Sequence, residues 1–174
     1  MATKEIFQRF VPLLYVHNSL EAIAFYTDVF GVEELTERTM LLSQVPGMDR
    51  TPGADRVVVY SKLQFTDGSA LGVAELAADT KADGEHIIGN NIHIGLAYED
   101  PAEQRTAFDK LAGDGTVLED LENRFWGAAY GAVRDRYGVI WETNCYLPPG
   151  RRRRSRPALL TGPRRTGTSG VPGL

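Results

Sequence analysis

The sequence predicts an α+β chain built from two tandem βαβββ modules whose strands form a curved, partly open mixed sheet. Three observations carry this. The order strand, helix, strand, strand, strand is legible twice, with a period of about 80 residues that fits a duplicated module and is too long for a solenoid. Each helix ends at a glycine, Gly31 or Gly113. Each last strand is preceded by a glycine, Gly68 or Gly138, and Ala24-Phe25 and Ala107-Phe108 read as matching pairs in the two helices. The division that follows is a first module over 1–77, a connector over 78–90, a second module over 91–148 and a tail over 149–174.

In the first module FVPLLYV predicts a strand near 10–16. A helix over 19–30 follows, capped by Asn18 or Ser19, with Leu20, Ile23, Tyr26, Val29 and Phe30 recurring at helical spacing to give one buried face. Strands are expected near 32–43, 56–66 and 69–76, the second being β-branched and aromatic (VVVYSKLQF) and followed by the hairpin signal Asp67-Gly68. After the polar connector, a strand over 91–98 and a helix over 102–113, opened by Asp100-Pro101, begin the second module. Strands near 116–121, 126–134 and 138–146 complete it.

Composition narrows the function classes. The chain has 174 residues, enough for a sizeable core, with 43% hydrophobic and 24% charged residues. No apolar run approaches the roughly 20 residues of a membrane span, and MATKEIFQRF lacks a secretory apolar core. A lone cysteine, Cys145, fits a reducing cytoplasm and a core role on an apolar strand. Residues 1–148 hold 12 Lys and Arg against 23 Asp and Glu, a net charge of −11; residues 149–174 hold seven Arg and no acid, a net charge of +7. The acidic body disfavours nucleic acid and attracts cationic small molecules. The Gly-, Pro- and Arg-rich tail reads as disordered, the one segment able to touch nucleic acid or anionic lipid.

Strand alternation sorts the side chains into faces. In 91–98, Ile92, Ile94, Leu96 and Tyr98 share the packed face and His93, Gly95 and Ala97 the other. In 69–76, Leu71 and Val73 pack, with Ala70, Gly72 and Ala74 opposite. In 138–146, Val139, Trp141 and Thr143 oppose Ile140, Glu142 and Asn144. A face of Gly and Ala beside a His and a Glu describes a hollow, and an imidazole with a carboxylate is a donor pair for a divalent metal. Within an apolar sheet such groups need partners; Arg134 and Arg124 are the candidate ion-pair partners of Glu142. Trp126 and Tyr130 offer an aromatic wall suited to flat or cationic ligands, and Arg134 can also hold a carboxylate. Tyr60, Lys62, Gln64 and Thr66 share a face of their strand, with Gln64 a candidate oxygen donor; His17 and His86 fall in exposed loops.

The segments FWGAAYGAVRDRYGVIWETN and SLEAIAFYTDVFGVEE resemble the closing and opening segments of the vicinal oxygen chelate superfamily, of glyoxalase, bleomycin-resistance and dioxygenase type, and most of all its PhnB-like members. The resemblance covers roughly 8–148, with Arg136 where the usual Asp-Pro-x-Gly turn has proline. It implies the glyoxalase/bleomycin-resistance fold, a small ligand in a concave sheet cavity, a homodimer in which two modules form each cavity, and in many relatives a divalent metal. Carried over by position, His93 and Glu142 match two of the four metal ligands, while the first-module counterparts fall on Val11, or Phe10, and Gly72.

Two readings follow. One is a binding protein that holds a small molecule with an optional divalent metal, using Trp126, Tyr130, Arg134 and Gln64 to line the cavity. The other is a metal-dependent enzyme (lyase, isomerase or dioxygenase) in which His93 and Glu142 hold the metal and Glu142 moves the proton.

Overall fold

The computed structural model describes residues 8–76 and 87–146. The Arg-rich tail, His86 and most of the connector lie outside the described residues.

Two sheets of identical plan emerge. The first module contributes β1 (Leu13–Val16), α1 (Ser19–Phe30), β2 (Glu33–Glu34), β3 (Met40–Leu41), β4 (Val58–Gln64) and β5 (Ala70–Glu75). The second contributes β6 (His93–Tyr98), α2 (Pro101–Ala112), β7 (Thr116–Asn123), β8 (Ala128–Arg134) and β9 (Ile140–Tyr146). Strand order is β1-β5-β4-β2, with β3 also pairing β4, and β6-β9-β8-β7. In each sheet the first and last strands run parallel and the other pairs antiparallel.

The expected single strand over 32–43 is corrected. It breaks into two-residue β2 and β3 around a 3-10 turn at Thr36–Arg38. The Glu34 carboxylate explains the break: it accepts hydrogen bonds from Thr39 Oγ1 (2.6 Å) and Ser61 Oγ (3.1 Å), which draws the chain back before it can extend along β4.

The helix starts differ from each other. Asp100 caps α2 as expected, its side chain accepting from the Ala102 amide at 2.9 Å, with Pro101 in the first turn. Asn18 does not cap α1; it takes the left-handed conformation (φ 57°) and makes no side-chain cap. Glu75, at the end of β5, does that work, accepting from the amides of Asn18 (3.0 Å) and Ser19 (2.7 Å) and from Ser19 Oγ (2.5 Å), a carboxylate at the positive end of the helix dipole. Leu20, expected on the buried face, is 44% exposed; Ala22 takes its place beside Ile23, Tyr26 and Val29.

The buried positions also correct the Ala-Phe match. Ala22, Tyr26 and Val29 of α1 correspond to Gln104, Phe108 and Leu111 of α2, so Tyr26 is the counterpart of Phe108 and the paired dipeptides are one residue out of phase.

One core runs through both modules. Val16, Leu63, Leu71 and Val73 of the first sheet and Val133 and Trp141 of the second join Ile23, Tyr26, Val29, Phe108 and Leu111. Tyr26 sits at its centre, 5.6 Å from the Trp141 ring and stacked on Phe30 at 5.9 Å. Its hydroxyl donates to Asp135 Oδ2 at 2.7 Å. Asp135, 4% exposed, also accepts from Trp141 Nε1 (2.7 Å) and from the amides of Tyr137 (2.9 Å) and Val139 (3.0 Å). One carboxylate thus ties the turn before β9 to the helix of the other module. At the surface, Lys110 reaches Asp28 (2.9 Å) and Arg136 reaches Glu21 (3.4 Å) across the same junction.

Candidate functional site on the open face of the second sheet

Each sheet turns one face to the core and leaves the other open. In the second sheet the core face carries Ile94, Leu96 and Tyr98, then Trp141, Thr143 and Cys145, as the alternation predicted. Ile92 is the exception: it precedes β6 and is 77% exposed, because the strand begins only at His93.

The pairing register turns the open face into a small grid. The first row, across β6, β9 and β8, is His93, Ile140 and Arg134; the second is Gly95, Glu142 and Ala132; the third is Ala97, Asn144 and Tyr130. Side chains directly opposite in neighbouring strands project to the same side. Glu142 therefore stands between a glycine and an alanine, with no bulk beside it. The small residues expected beside the His and the Glu stand in this middle row.

His93 lies diagonal to Glu142 and bridges to it, Nδ1 to Oε1 at 2.6 Å, while its Nε2 lies 3.2 Å from the Asn90 carbonyl oxygen. The two side chains are 37% and 33% exposed, so solvent and solutes reach them. Neither Arg134 nor Arg124 is the ion-pair partner of Glu142, contrary to the expectation. Arg124 pairs with Glu119 (3.0 Å) and lies over the Tyr130 ring, 5.5 Å from its centroid. Arg134 is half-buried, and its Nε has no hydrogen-bond partner among the described residues.

Aromatic side chains cluster at the third-row end. Tyr130 meets Trp126 edge to face at 5.7 Å, and Trp126 meets Phe125 at 5.0 Å. Trp126 is 42% exposed and Phe125 almost fully so. Partial burial pushes the Tyr130 hydroxyl above its ordinary range, helped by the charges of Glu142 and Glu119 and by a hydrogen bond with Glu142, and opposed by Arg124. Tyr130 stays protonated at neutral pH, a donor next to the Glu142 carboxylate.

Gln64 stands on the other sheet. It lies on β4 of the first sheet, paired with Ala70 and Glu33, so it lines the equivalent face of the other module. There the register gives rows Leu13, Gly72, Lys62 and Tyr15, Ala74 and, next along β4, Tyr60. Gly72 is thus the counterpart of Glu142, and two residues before Leu13, the counterpart of Gly95, Val11 is the counterpart of His93. A Cβ on Gly72 would lie 2.8 Å from Leu13 Cδ1 and 3.3 Å from Tyr60 Cε2. The first module fills with hydrocarbon the space that the second leaves to a carboxylate.

That bears on the divalent metal implied by the resemblance. Both nitrogens of His93 face oxygen acceptors, one of them the Glu142 oxygen itself, which leaves no lone pair of that ring aimed at open space. Among the described residues no three His, Cys, Asp or Glu side chains cluster as metal ligands. The arrangement does not fit a catalytic ion, which usually takes three protein ligands.

His17 is exposed beside α1, as expected. Cys145 is fully buried, and burial pushes its thiol up, with the charge of Asp100 adding to the effect; it is core, not nucleophile. The sequence reading overlooked Asp135 as the anchor of β9. An Asp three residues before a glycine in an Asp-Arg-Tyr-Gly turn was the available signal.

Comparison with known proteins places the family and the fold. Rv0887c, an uncharacterized protein of Mycobacterium tuberculosis, is 26% identical over 135 residues, covering 75% of this chain and 69% of that protein. The crystal structure of protein PA1353 from Pseudomonas aeruginosa is similar with a TM-score of 0.65 at 25% identity, over 80% of this chain and 98% of that one. A structure from Bacillus cereus, described as a putative 3-demethylubiquinone-9 3-methyltransferase and PhnB protein, follows with a TM-score of 0.60 at 22% identity, over 79% and 99%. The family model of the Glyoxalase/Bleomycin resistance protein/Dioxygenase superfamily matches residues 8–143, which spans both modules up to the middle of β9, and the chain belongs to that superfamily.

Proposed function

We propose that this protein binds a small molecule on the open face of the second sheet, with Glu142 as the polar centre of the site and Trp126 and Tyr130 as its aromatic wall. The observation that carries this reading is the Glu142 carboxylate, held by His93 at 2.6 Å, flanked by Gly95 and Ala132, and still one-third exposed. A carboxylate kept in place by a neighbour and left without side-chain cover is a preorganised acceptor for a hydroxyl or amine of a ligand. The common use of this superfamily's fold for small ligands supports it.

No step through a divalent ion enters this reading, because the donor set does not fit one. A homodimer does enter it, as the resemblance implies. On the open side of the first sheet Leu13 and Tyr15 are 39% and 49% exposed, apolar surface that a second copy would cover.

The test is a thermal-shift and calorimetric panel of small aromatic compounds carrying hydroxyl, amine or acid groups. Binding to the parent protein, weakened about ten-fold or more by Glu142→Gln and by Trp126→Ala, is the expected result. Binding untouched by both substitutions places the ligand elsewhere.

A proton-transfer enzyme is the second reading, favoured by the same His93 contact, since a carboxylate oriented by an imidazole is suited to act as a base. It requires that a bound compound turn over, and that Glu142→Gln abolish turnover more than binding.

A further inference from the structure

We infer that the ligand of this face carries an anionic oxygen group, a carboxylate or a phosphate, and that Arg134 is the residue that receives it. The inference rests on the binding reading above and adds the chemical class of the ligand.

Residues 91–146 contain five basic side chains that are always or ordinarily charged, and four are committed. Arg105 pairs with Asp109 (3.5 Å), Lys110 with Asp28 (2.9 Å), Arg124 with Glu119 (3.0 Å), and Arg136 with both Glu21 and Asp114. Arg134 makes no ion pair or side-chain hydrogen bond among the described residues, although it is half-buried; its Nε, like that of Arg124, is cut off from solvent and unmet, but Arg124 has an ion pair through its other nitrogens and Arg134 has none. Leaving a buried donor of a charged group unmet costs about 1–3 kcal/mol or more, so such groups are ordinarily satisfied.

Position gives the orphaned guanidinium a use. Arg134 stands in the first row of the grid, on the side of the sheet that bears Glu142 and His93, separated from His93 only by Ile140. Its natural acid neighbour, Glu142, is already taken by His93. A guanidinium with a planar fork and no acceptor matches a carboxylate or phosphate better than any other small group. The same ligand would lay its apolar body toward Tyr130 and Trp126 and set a hydroxyl or amine on Glu142.

The alternative of a cationic ligand, suggested by the acidic body, meets an obstacle at short range. Arg124 already lies over the Tyr130 ring and is held there by Glu119, so the ring nearest Glu142 already has one of the protein's own cations on it. The charge of the body acts over distances that physiological salt screens beyond about 8 Å. Contact at the site is therefore decided by the unpaired cation.

The experiment titrates the full-length, isotope-labelled protein with benzoate, with phenyl phosphate and with benzamide, a neutral near-isostere of benzoate, following the Arg134 Nε–Hε and Trp126 indole signals by NMR. Both signals should move saturably with benzoate or phenyl phosphate, whichever binds more tightly naming the oxyacid, and benzamide should bind about ten-fold more weakly or worse. Arg134→Gln should remove that preference while leaving benzamide affinity unchanged, and Arg134→Lys, which keeps the charge but loses the fork, should retain part of it. The spectrum of each variant reports that it is folded. Equal binding of benzamide and the two anions, unaffected by Arg134→Gln but lost in Trp126→Ala, overturns the Arg134 assignment and leaves the binding reading intact. No movement of either signal with any of the three overturns both.

Discussion

Replacing Tyr26 by Phe removes one hydroxyl and keeps the ring contacts with Phe30 and Trp141, which makes it a clean test of how the modules are held together. The hydroxyl donates to a carboxylate, at 2.7 Å, between two groups that are 0% and 4% exposed. Hydrogen bonds to charged groups contribute roughly 1.5–3 kcal/mol. The lower half of that range applies, because Asp135 keeps three other donors: Trp141 Nε1 and the amides of Tyr137 and Val139. A loss of about 1.5–2 kcal/mol, with a urea dependence near 1–3 kcal/mol per molar, lowers the unfolding midpoint by about 1 M at unchanged slope. Asp135→Ala is the stronger perturbation, since it strands the tyrosine hydroxyl, the indole N–H and two backbone amides at once. It should cost about 4 kcal/mol or more, close to the whole stability of a marginal domain. Urea unfolding of the parent, both single variants and the double variant gives the coupling between Tyr26 and Asp135 directly. A midpoint shift below roughly 0.3 M for Tyr26→Phe, or a double variant whose losses simply add, would refute the idea that this bond latches α1 to the turn before β9.

Three further outcomes follow from the same coordinates. Gly131→Ala places a Cβ 2.6 Å from Phe108 Cε2 and 2.9 Å from the Leu121 Cα, part of the backbone, and should destabilise by about 1–3 kcal/mol or more in urea unfolding. Gly72→Ala meets chiefly the end of the Leu13 side chain, which is 39% exposed and free to turn aside, so its cost should stay under about 1 kcal/mol; a loss equal to that of Gly131→Ala would contradict the packing described. Tyr98 is pushed up to about 12, first by burial and then by the charge of Glu103. The folded state holds this proton more tightly than the unfolded one, so its contribution is complete below about pH 10 and is lost as pH rises toward 12. Tyr98→Phe should flatten the fall of stability over that interval and remove one late-ionising phenol from the absorbance titration.

The duplicated plan was legible because each level of the sequence repeated it: helix stops at Gly31 and Gly113, turn glycines at 68 and 138, and matching alternation in the final strands. The break in Glu33–Leu41 was hidden because it contains no glycine or proline to mark it, and part of what makes it, the bond from Ser61 to Glu34, is a tertiary contact with β4. The α1 cap was hidden for the same reason, its carboxylate coming from Glu75, more than fifty residues downstream. Local signals cannot show a partner that only the fold brings near. The site was more legible than the caps because strand parity is a local property that survives folding. It put His93 and Glu142 on one face, and the register then set them diagonal to each other at bonding distance.

Parity has a limit at Gln64. Alternation says which side of its own sheet a residue faces and nothing about which of the two sheets bears it, and Gln64 stands on the first sheet while the other candidates stand on the second or in the turn beside it. The register resolves this by pairing positions across the repeat: Gln64 occupies in the first sheet the place that Arg134 occupies in the second, and Lys62 that of Ala132. The two open faces therefore differ in charge at matched points, a carboxylate beside a glycine in the second module where the first has a glycine beside a lysine. Duplication supplied the same scaffold twice, and the copies differ at a few grid positions; the binding proposal assigns the polar centre to the second. If that is right, exchanging the two centres, with Glu142→Gly in one module and Gly72→Glu in the other, should not move the site. The carboxylate introduced into the first sheet would stand beside Lys62 and against Leu13 and Tyr60, with no imidazole to hold it, and calorimetry of the double variant should find binding of a hydroxyl- or amine-bearing aromatic acid weakened and not transferred.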